Sequence, residues 1–171
     1  MARSIRSRTF DLTPVQLLLR IAVGGTMVAH GVKHGRSIAG TAGWFGSIGF
    51  KHATLQAQAS AVVEVGAGAA LVAGAATPVA AAAVVGTMAV AAHAVHVPNG
   101  FFITSEGWEY VGNLSAAAVT LAALGPGRWS VDRVLGIDSK LGGSKAAAFA
   151  TALGLVAACG QLLAFHRPTS R

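Results

Sequence analysis

The sequence predicts an all-α, polytopic membrane helix bundle, and three observations carry that prediction. Hydrophobic residues make up 53% of the 171-residue chain against 11% charged, with a mean hydropathy of +0.60, too apolar for an ordinary soluble domain. The apolar residues gather in long Ala- and Gly-rich blocks such as AVAAHAVHV and KAAAFATALGLVAACG, and small residues let membrane helices approach closely. The basic residues behind the net charge of +7 lie mainly between those blocks, the distribution of a multi-spanning chain in a lipid bilayer. No basic helix, aromatic RNA-binding pattern or zinc spacing accompanies the charge, so nucleic acid is not an expected partner.

Residues 1–13 form a basic N-terminal segment, read as retained because a full-length span follows it. Thr13 offers a helix N-cap with Pro14 at the first helical position, and the apolar run continues to about Val32. Those residues rise about 28 Å, enough to span. Residues 33–52 read as an interfacial connection, with Trp44, Phe45, Ile48 and Phe50 beside Lys33, His34, Arg36 and Lys51.

The second span runs from about Ala53 to Ala76, and Thr77-Pro78 opens a third after a tight turn, making the two antiparallel neighbours. The third span, Pro78 to Val97, ends with His93 and His96. A fourth, shorter helix covers about Trp108 to Leu124, where Glu106, Glu109, Tyr110 and Asn113 share the spacing of one helical face. Gly125-Pro126-Gly127 stops it. Residues 128–145 read as an amphipathic interfacial segment, with 136–145 as a linker. Residues 146–165 form a fifth apolar run long enough to span, and 166–171 a tail. The lone Cys159 lies in that run and excludes an intramolecular disulfide.

Seven basic residues fall on the side of the N-terminus and five on the other, a bias that favours a cytoplasmic N-terminus. Counting rise from the helix ends then brings His30, Glu64, His93, His96, Glu109 and Asn113 to one half of the bundle, the outer half on this topology. Glu64 is the odd residue, a carboxylate near mid-span that its surroundings must neutralise, pair or use. Arg20 is the candidate counter-charge from the inner side; the alternative is that Arg20 snorkels to the interface and Glu64 is protonated or bonded to a histidine. Together Arg20, His30, Glu64, His93, His96, Glu109 and Asn113 form a candidate polar pocket. His30 and His93 at matched depth would also suit a haem or metal, but no cysteine ligand or haem signature accompanies them, so no metal is assigned.

The stretch GPGRWSVDRVL resembles the terminal motif of the DoxX family of bacterial and archaeal membrane proteins. Gly125, Pro126, Gly127, Trp129, Ser130 and Asp132 carry the resemblance, supported by Arg20, His30-Gly31, Glu64, Gly68, the Gly74–Pro78 turn and Gly107, Glu109 and Tyr110. It covers about residues 14–135. The family places a lysine four residues after the histidine of its HG pair, whereas here Lys33 comes at three and His34 at four. The resemblance implies a four-helix membrane core, to which this chain adds the fifth helix, in a bacterial plasma membrane. It implies a link to redox metabolism: quinone as a ligand, and as partners soluble redox enzymes, further membrane subunits or a second copy of the chain. It names no catalytic residue.

Overall fold

A computed structural model describes residues 11–140 and 142–167. Among them the regular structure is helical: α1 (Thr13–Arg36), α2 (Ile38–Ser47), α3 (Ala53–Ala73), α4 (Thr77–Ala91), α5 (Glu109–Leu124), α6 (Val131–Val134) and α7 (Gly143–Phe165). Helix α4 runs on through a π turn, Ala92–His96, and a 3₁₀ turn, Val97–Asn99. Four of these helices are long and apolar enough to cross a membrane: Thr13–Arg36, Ala53–Ala73, Thr77–Asn99 and Gly143–Phe165. Helix α5 has 16 residues, a rise of about 24 Å. The protein is a polytopic helical membrane bundle. Its outward faces fit that setting, since Leu18, Val62, Val156 and Leu163 are all exposed where lipid, rather than water, makes exposure cheap.

The bundle is a ring with one outrigger. Helix α1 packs on α3, α3 on α4, α4 on α5 and α5 back on α1, while α7 lies against α4 and α5. Val23, Met27, Leu71, Val84, Val85, Leu121 and Ala122 fill the centre. The α1–α3 contact is backbone to backbone: a Cβ on Gly24 would stand 2.5 Å from the Gly68 carbonyl oxygen, and a Cβ on Gly68 the same distance from that of Gly24. Gly31 meets Ala61 and Val65 one heptad further on. Helix α7 docks by the same means. Ala146, Ala150, Gly154 and Ala158 are its buried residues, and a Cβ on Gly154 would lie 2.7 Å from the Ala82 carbonyl oxygen.

Three local readings change. Helix α1 continues to Arg36 instead of stopping at Val32, because the basic residues Lys33, His34 and Arg36 in its last turn favour a helix C-terminus. The connection 33–52 is therefore mostly helical, with α2 as a second short helix. At the start of α1, the Thr13 amide donates to Asp11 Oδ1 at 3.0 Å, so Asp11 serves the role expected of Thr13. Hydrogen bonds from Thr13 hold the exposed Asp11 carboxyl below its ordinary pKa.

Candidate functional site

The two ends of the bundle use their polar residues differently. At one end α1 begins, α3 ends, α4 begins and the Gly-Pro-Gly segment follows α5. Arg20 is buried there, 2% exposed. Its Nε donates to Leu71 O at 2.9 Å, one terminal nitrogen to Val72 O at 2.6 Å, and the other to Pro126 O at 3.0 Å and Trp129 O at 2.7 Å. The guanidinium thus caps the carbonyl end of α3, where a cation is favoured, and ties it to the segment after α5.

Asp132, 1% exposed, caps the opposite kind of terminus. Its carboxylate accepts from the amides of Ala76 and Thr77 at 2.8 and 3.1 Å and from Thr77 Oγ1 at 3.0 Å, the donors that open α4. Between them stands Gly74, at φ +67°, where a Cβ would strike Ser130 and the Arg20 guanidinium. Gln16 donates to Leu124 O at 2.7 Å, and Ser130 Oγ donates to Gly127 O and caps α6 through the Arg133 amide. Gly125 to Asp132 is thus a brace that closes the bundle, and its buried polar side chains, Ser130 and Asp132, are bonded mainly to backbone.

At the other end lies a cavity of about 740 Å³ with walls from α1, α2, α3, the end of α4, α5 and Gln161 of α7. Trp44, Phe45, Phe50 and Tyr110 give it aromatic sides; Lys33, His30, His34, His96, Glu64 and Glu106 supply its charged or titratable groups. Glu64, 3% exposed, has one oxygen engaged and one free. Its Oε1 accepts from Ser60 Oγ and lies 3.2 Å from His34 Nδ1, which is also 3.3 Å from Ser60 Oγ. Its Oε2 is buried without a hydrogen-bond partner, alone in that state among the described buried side chains. A buried unpartnered carboxylate oxygen is costly, and its position in a cavity wall marks where a bound molecule can compensate it.

Residues 15–97 match the family model described as DoxX. The chain belongs to the DoxX family. No curated protein and no solved structure matches it. The DoxX match runs from α1 to the end of the π turn after α4, so it contains Ser60, Glu64 and His34 and leaves the Gly125–Asp132 brace and α7 outside.

Within this DoxX protein the residues expected to form one polar pocket separate into three groups. Glu64, His30 and His96 line the cavity; His30 stacks on Tyr110 at 6.0 Å, and His96 Nδ1 meets the Glu106 carbonyl oxygen. His93, Glu109 and Asn113 do not line it. The His93 ring packs edge-on against His166, and Glu109 accepts from the Ile103 amide, because α5 begins only at Glu109 and its first turn faces the preceding loop. Arg20 neither pairs with Glu64 nor snorkels: it is turned to the opposite end, onto four carbonyls. No three His, Cys, Asp or Glu side chains among the described residues gather as a metal site requires.

The residues missing from the expected set are His34 and Ser60. Both carried a signal, since His34 follows His30 by four residues and Ser60 precedes Glu64 by four, the spacing of side chains one turn apart on the same helix face. His34 also stands where the DoxX family has its lysine, so the position that departs from the pattern still places a basic side chain on Glu64.

Proposed function

We propose that this DoxX protein is a plasma-membrane component of redox metabolism that binds a quinone-type ring in the cavity beneath α2, with its N-terminus in the cytoplasm. The observation that carries the reading is Glu64, a buried residue in the lining of a cavity with aromatic sides, whose Oε2 has no partner. A volume of about 740 Å³ lies in the range of small-molecule sites and admits a substituted ring with the first part of an isoprenoid or alkyl tail. Trp44, Phe45, Phe50 and Tyr110 present flat apolar faces to such a ring. His34 and Lys33 stand near its polar edge as donors, and Glu64 is placed to exchange a proton with a ring hydroxyl. Electron transfer itself would fall to a partner, because the lone Cys159 offers no thiol pair for redox exchange.

The test is binding of a short-tailed hydroquinone to the intact protein in nanodiscs, followed by tryptophan fluorescence. Glu64→Leu should weaken binding about tenfold or more, and Cys159→Ser should leave it unchanged. Unchanged affinity in a folded Glu64→Leu protein would sink the pocket reading.

A second reading, a non-catalytic anchor that recruits soluble redox enzymes, is favoured by a different observation. Trp129, Val134 and Leu135 are 61%, 86% and 64% exposed beside Arg128 and Arg133 at the brace end. Loss of captured redox enzymes on replacing Arg128 and Arg133 by Glu, with quinone affinity intact, would favour that reading.

A further inference from the structure

Resting on the quinone-pocket reading, we infer that the cavity selects the reduced, hydroxyl-bearing form of its ring over the oxidised, carbonyl form. Glu64 decides this. Its Oε1 already accepts from Ser60 Oγ and faces His34 Nδ1 at 3.2 Å, so the oxygen offered to a ligand is Oε2, buried and unpartnered. As a carboxylate, Glu64 accepts and does not donate. A ligand must therefore bring a donor to that point. A quinone carbonyl would set two acceptors against each other at a buried oxygen, whereas a hydroquinone or phenol hydroxyl would complete the hydrogen bond and offset the cost of that burial.

The rest of the lining narrows the donor. An organic cation is disfavoured by Lys33, which shares the cavity with three histidines, and an anionic ligand meets Glu64 itself. An aliphatic alcohol would satisfy Oε2 but leave the faces of Trp44, Phe45 and Phe50 without a ring. A neutral aromatic hydroxyl satisfies both the acceptor and the walls.

Three probes that differ only at the ring oxygens test this on the unaltered protein in nanodiscs under anaerobic conditions: a short-tailed hydroquinone, its quinone, and its dimethyl ether, which cannot donate. The hydroquinone should bind about tenfold or more tightly than either of the others. Equal or tighter binding of the quinone would overturn the selectivity and leave the pocket reading standing. Failure of all three to bind would overturn both. Glu64→Gln, which offers an amide nitrogen or oxygen at the same place, should erase the preference while the quinone still binds; a preference that survives in folded Glu64→Gln would show that the hydroxyl is read elsewhere and would also overturn the inference.

Discussion

Arg20 and Asp132, buried opposite charges at the same end of the bundle, are not joined by an ion pair; each is bonded to a helix terminus. The guanidinium takes the last carbonyls of α3 and the carboxylate takes the first amides of α4, so the tight turn between the two helices is clamped on both sides. This arrangement answers the macrodipoles of both helices at a buried turn, Arg20, Thr77 and Asp132 being 2%, 0% and 1% exposed.

Removing Arg20 should therefore cost stability and leave the remote cavity to bind as before. Arg20→Ala strands four carbonyls and should cost about 3–5 kcal/mol, the scale of breaking a buried charged network. Arg20→Lys should recover only part of it, since one ammonium cannot match the planar fork. Asp132→Ala should cost about 1–2 kcal/mol, the scale of a lost N-cap, and Asp132→Asn less. Unfolding in detergent followed by tryptophan fluorescence gives the order; a loss of ligand affinity in folded Asp132→Asn would contradict the separation of the two ends.

The α1–α3 interface makes a paired prediction. Gly24→Ala and Gly68→Ala each place a methyl 2.5 Å from a backbone oxygen of the facing helix, and backbone cannot yield as a side chain can. Each should cost about 1–3 kcal/mol or more through overpacking. Gly25 and Gly66, neighbours in sequence, have nothing within 4 Å of a built Cβ; Gly25→Ala and Gly66→Ala should be neutral or stabilising by up to about 1 kcal/mol. Equal behaviour of the two pairs would mean that the helices are not in this register.

The spans were legible because run length and apolarity suffice to identify them, and the odd carboxylate was legible because Glu64 has no neighbour like it in its run. What local pattern could not supply was azimuth and long-range partnership. Counting rise set Arg20 and Glu64 at compatible depths, but an arginine side chain can turn toward either end, and the carbonyls that hold it belong to residues far along the chain. Asp132 read as part of an amphipathic interfacial segment for the same reason: its partners, Ala76 and Thr77, are fifty-odd positions earlier. His34 was hidden by a misplaced helix end, since Lys33-His34-Gly35-Arg36 reads as a connection until α1 is seen to run through it. The i, i+3, i+4, i+7 face from Glu106 to Asn113 failed because Glu106 lies in the loop, at φ +60°.

Helix α7 lies outside the DoxX match but is part of the structure that holds the cavity. Gln161 donates to Gln56 Oε1 at 3.0 Å, His166 meets Ile48 O at 2.9 Å, and the Lys51 amide donates to Phe165 O at 2.8 Å. These bonds fasten the connection between α2 and α3 that walls the cavity. Deleting residues from 143 onward should lower the unfolding temperature and weaken ligand binding. Gln161→Ala should affect binding more than stability, because an exchange of one partly buried side-chain hydrogen bond is worth only about 1 kcal/mol. A truncated protein with unaltered binding would make α7 a mere addition.

Ser60 and His34 converge on one oxygen, which predicts how their removal combines. With Ser60→Ala, His34 still faces Glu64 Oε1; with His34→Ala, the serine hydroxyl still donates to it. Each single change therefore leaves the buried carboxylate one partner and should cost about 1–3 kcal/mol or less. The double change leaves both carboxylate oxygens without a partner, so its cost should exceed the sum of the two by about 0.5–3 kcal/mol, the range of coupling between residues in one network. A double-mutant cycle on equilibrium unfolding measures the excess. Glu64→Leu supplies the control: in that background only the direct contact between Ser60 and His34, at 3.3 Å, remains, and the coupling should fall. Strict additivity with Glu64 present would mean that the two side chains do not share it.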